Sequence, residues 1–447
     1  MTESQLARFD RPVPRYTSYP TAPHFHPGID GAAYRGWLEA LGGDSSLSLY
    51  LHVPFCQQLC WYCGCHTKLA RRYEPVADYV ALLEAEIGLV AEALPAGLPV
   101  RQVHWGGGTP TVLTAADFAR LSEALRRRLG AGSAEVAVEV DPRTLTRAMA
   151  TTLGRCGVVR ASLGVQDFSP RVQQAINRVQ SFADTAQAVD RLRQAGIASI
   201  NLDLMYGLPH QSIADVVETV DLAVRLAPDR LALFGYAHVP WMKKHMRLID
   251  EAALPDGAAR FAQAEAAAAR LAEHGYRRIG LDHFARPEDD MARALAAGAL
   301  RRNFQGYTVD EGDVLIGLGA SAIGSLPQGY VQNAVPLNLY GEAIAAGRLA
   351  TARGIALAPE DRLRRAVIER LMCDLAVDLD AVAGTPGAAA RFAAELEALR
   401  GMAAEGLVEI AGPRVTVTEA GRPLVRTVCA AFDAYLGRGA ARHSRAV

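Results

Sequence analysis

From about residue 47 to residue 285, short apolar or β-branched runs alternate with long amphipathic stretches. SLYLHVPF, VRQVHWGGG, VAVEVDP, RASLGVQD, ASINLDLMYG, RLALFGY and YRRIGLDHF have strand character, whereas PVADYVALLEAEIGLVAEAL and FADTAQAVDRLRQAG carry apolar residues at helical spacing. Such alternation specifies an α/β fold, a parallel sheet with crossover helices that is either open or curled into a partial barrel. Folds of this class place their chemistry at the C-terminal ends of the strands. Glu139, Asp141, Gln166, Asp167, Asp203, Tyr236 and His238 are therefore expected to share one rim.

The flanks read differently. In RPVPRYTSYPTAPHFHPG the prolines forbid regular helix, which predicts an extended arm packed on the barrel within residues 1–46. A catalytic domain is expected over 47–345. Residues 346–447 form alanine- and arginine-rich helices, followed by two short strands around a glycine-proline turn in GLVEIAGPRVTVTEAGRPLV, a winged-helix-like pattern. That segment has no basic stripe, so a docking or lid role is favoured over DNA binding. Lysine and arginine total 47 against 48 acidic residues, which leaves no global field to attract nucleic acid. No apolar signal core and no run of about 18 uncharged apolar residues is present, so a soluble, cytoplasmic chain without a membrane partner is expected. With no zipper pattern, a monomer is the default.

Four of the seven cysteines, Cys56, Cys60, Cys63 and Cys65, crowd into FCQQLCWYCGC. Disulfides among them would close very small strained loops, and Cys156, Cys373 and Cys429 lie far away in sequence. Soft-metal chemistry is the better explanation. Three residues separate Cys56 from Cys60 and two separate Cys60 from Cys63. Zinc is an alternative, although its paired C-x-x-C units are missing a second copy here.

C-x-x-x-C-x-x-C after the first strand, with the aromatic Tyr62 before the last cysteine, resembles the radical S-adenosylmethionine family. The resemblance implies one [4Fe-4S] cluster held by Cys56, Cys60 and Cys63. Its fourth iron would be open to S-adenosylmethionine, which reduction cleaves to a 5′-deoxyadenosyl radical. Gly106, Gly107 and Gly108 in HWGGGTPT form either a tight turn or the family loop that meets the methionine amino group, with Thr109 adjacent. Glu139 can cap a loop or grip a ribose or an ammonium. The glycine-rich run GLGASAIG, residues 317–324, can approach an adenine through its backbone.

RYTSYPTAPHF, YLHVPFCQQLCWYCGCH, HWGGGTPT and RNFQGYTV narrow the likeness to the oxygen-independent coproporphyrinogen III oxidase family, over almost the whole chain. That resemblance implies two molecules of S-adenosylmethionine. Tyr50, Gly107, Glu139 and Ile323 would contact the first, and Tyr62, Gly108, Thr109, Gln166, Arg178, Asp203 and Ala237 the second. Tyr50, Cys65, Phe304 and Gln305 are candidate catalytic positions. Cys65, which is not a cluster ligand in this resemblance, is either a group for substrate or radical handling or a buried bystander thiol. The implied substrate is coproporphyrinogen III, and the implied partners are a low-potential electron donor and an unidentified electron acceptor. Arg15, Arg302, Lys243 and Lys244 are candidate cations for the substrate carboxylates, and Tyr16 and Tyr19 are expected to close over the macrocycle. A haem chaperone on the same fold is one alternative, although such relatives usually lack the fourth cysteine and the RYTSYPTA arm. A related radical methyltransferase or haem-degrading enzyme is another.

Overall fold

Period-two alternation inside the strands decides how the sheet is used. In LSLYLHV, Leu47, Leu49, Leu51 and Val53 are buried in a core shared with the surrounding helices, while Ser48, Tyr50 and His52 project from the other face. The same pattern recurs in the next strands. Val103 and Trp105 face the helices and Gln102 and His104 face inward; Val138 and Val140 face out and Glu139 in. One face of the sheet is thus an apolar floor for helices and the other is a polar wall.

The computed structural model describes residues 1–437 and 443–446. Its main sheet contains β1 (Leu47–Val53), β2 (Val100–Gly107), β3 (Glu135–Val140), β4 (Val158–Gln166), β5 (Ser199–Tyr206), β6 (Arg230–Gly235), β7 (Arg277–Ile279), β8 (His283–Ala285), β9 (Val314–Leu318), β10 (Ile323–Leu326), β11 (Gly329–Asn333) and β12 (Thr351–Ala356). Their order is β12-β11-β10-β9-β1-β2-β3-β4-β5-β6-β8-β7. Strands β9 and β1 through β6 run parallel, and the strands beyond them at both ends run antiparallel. The edge strands β12 and β7 do not pair, so the parallel sheet is not a closed barrel. Crossover helices include Glu74–Ala93, Ala115–Leu129, Phe182–Gln194 and Ile213–Arg225.

Three expectations need correction. YRRIGLDHF is not a further parallel strand; it folds back as the β7–β8 hairpin, because Gly280 turns the chain with positive φ (+55°) three residues before β8. The strand beside β1 is instead β9, whose end is the glycine-rich run. Residues 351–356, assigned by composition to the C-terminal domain, supply β12, since Thr351–Ala356 pairs with β11 and not with the C-terminal domain's own sheet. Finally, the arm is divided between the two domains: Phe25 and His26 meet Tyr330 and Gly354, Arg15 reaches the Gly235 carbonyl, and Tyr34, Leu38 and Leu41 join the core of the main sheet. Leu6, Phe9, Val13, Tyr16 and Tyr19 are buried in the core of the C-terminal domain with Val367, Leu371 and Val428. Glu3–Phe9 and Gly31–Glu39 flank the proline-rich run as helices.

The C-terminal domain combines helices such as Pro359–Asp374 and Ala393–Ala404 with a three-stranded antiparallel sheet built from Ala376–Asp378, Arg414–Val417 and Val408–Ala411. The last two are the strand pair expected around the turn. Of the sequence region 346–447, residues 438–442 and 447 lie outside the described residues. No helix among the described residues is long and apolar enough to cross a membrane.

The glycine-rich run after β9 is fixed from below. Glu86, 2% exposed on the first crossover helix, accepts from the Gly319 amide (2.6 Å), Asn333 Nδ2 (2.6 Å) and the Tyr340 hydroxyl (2.8 Å). Gly319 has φ +97°, and a Cβ there would meet the Tyr79 hydroxyl at 2.4 Å. Its amide and that of Ala320 are committed to Glu86 and Tyr79. Burial pushes the Glu86 carboxyl from 4.5 up to about 7 against these three donors. Between those values the folded chain holds a proton that the unfolded chain has released, so stability falls as pH rises through the window. Glu86→Gln is expected to flatten this slope by on the order of 3 kcal/mol, measured from denaturant midpoints of both proteins across it. Parallel curves would contradict this.

Candidate active site

Strand β1 ends at Val53, and the chain then makes a loop that closes on itself, Phe55–Cys56 pairing with Lys68–Leu69. Four groups from elsewhere grip this loop. The Trp61 amide donates to the Ile176 carbonyl (3.0 Å), Asn177 Nδ2 to the Leu59 carbonyl (2.8 Å) and Lys243 Nζ to the Cys65 carbonyl (2.9 Å), and His245 Nε2 meets the Cys63 carbonyl (2.8 Å). Cys60 is buried, Cys56 and Cys63 are half-buried and Cys65 is exposed. Burial pushes the Cys56 thiol up to about 11, with Thr109 Oγ1 3.5 Å from its sulfur, whereas a hydrogen bond with Cys65 holds Cys63 down at about 7.

The donor set distinguishes the two metal readings. A structural zinc needs its ligands around one point, about 2.3 Å from each sulfur. Among the described residues no three histidine, cysteine, aspartate or glutamate side chains converge in that way. Thiolates of a four-iron cluster bind different irons and need no common point, so Cys56, Cys60 and Cys63, spread along one gripped loop, fit a cluster.

Two guanidiniums meet at the Cys60 sulfur, Arg178 Nη1 at 3.5 Å and Arg143 Nη2 at 3.7 Å. Asp141, at the end of β3, holds both. Arg143 binds it through Nε to Oδ1 (3.0 Å) and Nη2 to Oδ2 (2.6 Å), and Arg178 Nη2 lies 3.5 Å from the same Oδ1. Burial opposes its charge, but these arginines outweigh that and keep its carboxyl below the ordinary range. Arg178 also donates to the Gly164 carbonyl, beside which Gln166 sits in the left-handed region (φ +73°). Such a conformation is strained for a residue with a Cβ. It brings the Gln166 amide and Arg178 together over Gly164.

Deeper along the polar wall, Tyr50 stacks on His104 (ring centroids 5.9 Å) and its hydroxyl meets His52 Nδ1 at 3.0 Å. Glu139 accepts from the Gly107 amide (3.0 Å) and lies 3.4 Å from His104 Nε2. Burial disfavours its charge, yet His104 and the amide hold the carboxyl below its usual value. The glycine triplet is required by close approach. A Cβ at Gly106 would meet Glu139 and Tyr50, one at Gly107 the His52 ring, and one at Gly108 the Phe55 carbonyl. The amides of 107, 108 and 109 are all bonded within the protein, so any ligand contact there falls to carbonyl oxygens and side chains.

The other expected positions follow the same rim. Asp203 accepts from Ser162 (3.0 Å) and Asn201 (2.8 Å), and burial, with the Glu139 charge second, pushes its carboxyl up to about 6. Tyr62 packs among Val172, Ile176 and Tyr236. Ile323 lies over Gly317, the register partner of Tyr50. Ala237 borders a cavity of about 900 Å³ beyond the rim.

That cavity is lined by Phe304, Gln305, Arg15 and Arg302, and also by Trp241, Arg260, Arg278 and Arg426. Phe234 and Gln305 border a second cavity of about 240 Å³, which contains Glu139, His104 and Asp203. Tyr16 and Tyr19 do not close over it. Their hydroxyls are bonded to Asp433 and the Ala434 amide inside the C-terminal core, because their rings are the apolar surface that docks the arm. Lys243 turns to the cysteine loop and Lys244 is exposed, so neither lines the large cavity.

Sequence reasoning missed His52, His104, Arg143, Arg260 and Arg426. Strand alternation was a usable signal for the two histidines, since both fall in phase with Tyr50. Arg143 follows Asp141 by two residues at the end of β3 and has that local signal, whereas Arg260 and Arg426 have none, because distant elements bring them to the site.

The Radical SAM superfamily pattern matches residues 50–223, and the HemN C-terminal domain pattern matches residues 357–424. An oxygen-independent coproporphyrinogen III oxidase of Bradyrhizobium diazoefficiens is 54% identical over 443 residues, covering 97% of each chain. The chain belongs to the oxygen-independent coproporphyrinogen III oxidase family. A member from Helicobacter pylori is 37% identical over 98% of this chain and 97% of its own. The solved coproporphyrinogen III oxidase (HemN) from Escherichia coli, described as a radical SAM enzyme, superposes with a TM-score of 0.90 at 38% identity, covering 98% of this chain and 99% of that one. Membership of this oxidase family also accounts for the two-part build, a radical SAM sheet followed by the family's own C-terminal domain.

Proposed function

We propose that this protein decarboxylates the ring A and ring B propionates of coproporphyrinogen III to vinyl groups, giving protoporphyrinogen IX in haem biosynthesis without oxygen. The observation that carries the proposal is the shared rim: the segment 236–245 both borders the large arginine-lined cavity and, through Lys243 and His245, grips the cysteine loop. When bound, the iron–sulfur cluster and S-adenosylmethionine supply a 5′-deoxyadenosyl radical able to take hydrogen from an unactivated carbon. Each propionate loses one hydrogen atom from its β-carbon, one carbon dioxide and one electron, the electron passing to an acceptor in solution.

Within that reading, Cys56, Cys60 and Cys63 hold the cluster while Arg143 and Arg178 offset its negative charge. Tyr50, Gly107, Glu139 and Ile323 surround one S-adenosylmethionine; Tyr62, Gly108, Thr109, Gln166, Arg178, Asp203 and Ala237 surround a second. Phe304 and Gln305 face the macrocycle where the two cavities meet, and Cys65 handles substrate rather than iron. None of the seven cysteines is in a disulfide, which suits a cytoplasmic protein; a monomer and a low-potential electron donor belong to the same reading.

Anaerobic reconstitution with iron and sulfide, followed by reductant, S-adenosylmethionine and coproporphyrinogen III, is expected to yield protoporphyrinogen IX with one 5′-deoxyadenosine per vinyl group by mass spectrometry. Deoxyadenosine without decarboxylation, or simple retention of haem, would contradict the assignment.

A further inference from the structure

The positive charge around the large cavity exceeds what the protein neutralises. Arg15, Arg260, Arg302 and Arg426 make no ion pair among the described residues and donate instead to backbone carbonyls: Arg15 to Gly235 (3.4 Å), Arg260 to Tyr236 (2.7 Å), Arg302 to Tyr16 and Arg15 (3.3 Å each), and Arg426 to Val13, Pro14, Arg445 and Ala446. The carboxylates on the walls are mostly engaged. Glu265 is bonded to Arg278 (3.2 Å), and Asp256 caps the helix Gly257–Glu273. Asp282 remains, 2.8 Å from His283 Nδ1 and held down at about 2 despite its burial by that histidine and by Arg302 and Arg15. Four guanidiniums against this one carboxylate leave three positive charges without a counterion. Arg302 Nη1 is buried with no hydrogen-bond partner among the described residues, and crowding by Arg15 and Arg302 adds to burial in lowering Arg426 to about 10. Arg426 is buried, Arg260 and Arg302 are half-buried and Arg15 is exposed, so the cost of leaving the cluster unpaired falls mainly on its enclosed members, and a ligand that brings several negative charges removes it.

The cluster is also assembled from separate parts of the chain. Arg15 comes from the arm, Arg302 from the strand Arg301–Asn303 and Arg426 from the helix Val425–Ala431 of the C-terminal domain. We infer that Arg15, Arg302 and Arg426 anchor the two propionates that the reaction leaves intact, which makes the arm and the C-terminal domain part of the substrate site. This inference rests on the reaction proposed above. Its chemical reason is that a guanidinium stabilises a carboxylate anion, whereas a reacting carboxylate must leave as neutral carbon dioxide. Tight pairing of the reacting group would stabilise the ground state more than the transition state and slow the step. The reacting propionates therefore extend away from the arginines toward Phe234 and Gln305, where the cavity meets the one containing Glu139 and Asp203.

The test uses equilibrium binding to the full-length, anaerobically reconstituted protein, followed by porphyrin fluorescence. Coproporphyrin III carries all four propionates, whereas protoporphyrin IX carries only the two that survive. Arg15→Gln is the first variant, because its single long hydrogen bond makes loss of fold unexpected; Arg302→Met is the second, and both are checked by circular dichroism and melting. Each is expected to weaken both porphyrins by the same factor, roughly ten- to a hundredfold for a lost charge-assisted pair. Weakening of coproporphyrin III alone would assign the arginines to the reacting propionates and overturn the inference, as would unchanged binding of both. Turnover of coproporphyrinogen III by the unsubstituted protein, measured in parallel, separates the two claims. Arginine-dependent binding without turnover supports the anchor and counts against the reaction, while turnover with arginine-independent binding does the reverse.

Discussion

Cys60→Ala protein, reconstituted anaerobically, is expected to bind little iron and sulfide, to show no reduced-cluster signal by electron paramagnetic resonance, and to turn over at reagent background. Of the four clustered cysteines Cys60 is the most enclosed, and it is the one whose sulfur faces both Arg143 and Arg178. Those guanidiniums favour a thiolate and offset the negative charge that a cluster bound by three thiolates carries. No other side chain replaces this sulfur, since Cys65 lies at the exposed end of the loop with its carbonyl tied to Lys243. Cys65→Ala is therefore expected to keep its iron and its spectrum while losing turnover. Iron content per chain decides the matter: a Cys60→Ala protein with a full cluster, or a Cys65→Ala protein without one, would reverse the assignment of ligands.

How far the sequence leads can be judged at particular residues. The cysteine spacing and the strand alternation are local, so the loop at 55–65 and the polar wall of Tyr50, Glu139 and Asp203 are legible from the chain alone. The β7–β8 hairpin is less so, because YRRIGLDHF is apolar enough for a parallel strand and only the backbone turn at Gly280 breaks it. The arm illustrates a different limit. Its aromatics invite a lid reading, yet Tyr16 and Tyr19 are buried in the C-terminal core, and what reaches the cavity is the arginine between them and the proline run. Arg15 and Arg302 could be named from their nearness to motifs, but that they meet Arg426 in one charge cluster is not legible in sequence, because its members lie up to hundreds of residues apart and tertiary packing alone brings them together.

Arg178→Met is expected to lower stability and cluster occupancy together, which few single substitutions at this rim would do. Arg178, 6% exposed, donates to the Gly164 carbonyl (2.5 Å) and to the Cys60 sulfur and stands 3.5 Å from Asp141. Methionine fills most of the volume but leaves a buried carbonyl without its donor and Asp141 with one arginine instead of two. Breaking a buried pair in this way costs about 3 kcal/mol, at the lower end of its range because Arg143 still holds the carboxylate. Thermal melting of the cluster-free protein isolates that part, since no metal then contributes. The acid side supplies an independent check. Asp141 titrates below its ordinary 3.8 in the folded chain, so its pairing stabilises the protein above that value and the benefit is lost as pH falls. With one guanidinium removed, the acid-induced loss is expected to be smaller in Arg178→Met than in the unsubstituted protein. Arg178→Lys separates packing from charge: its ammonium restores the positive charge but presents no fork to bridge Gly164, Asp141 and Cys60 at once, so stability should recover further than cluster occupancy. Equal recovery of both would show that charge alone, not the forked geometry, positions Cys60.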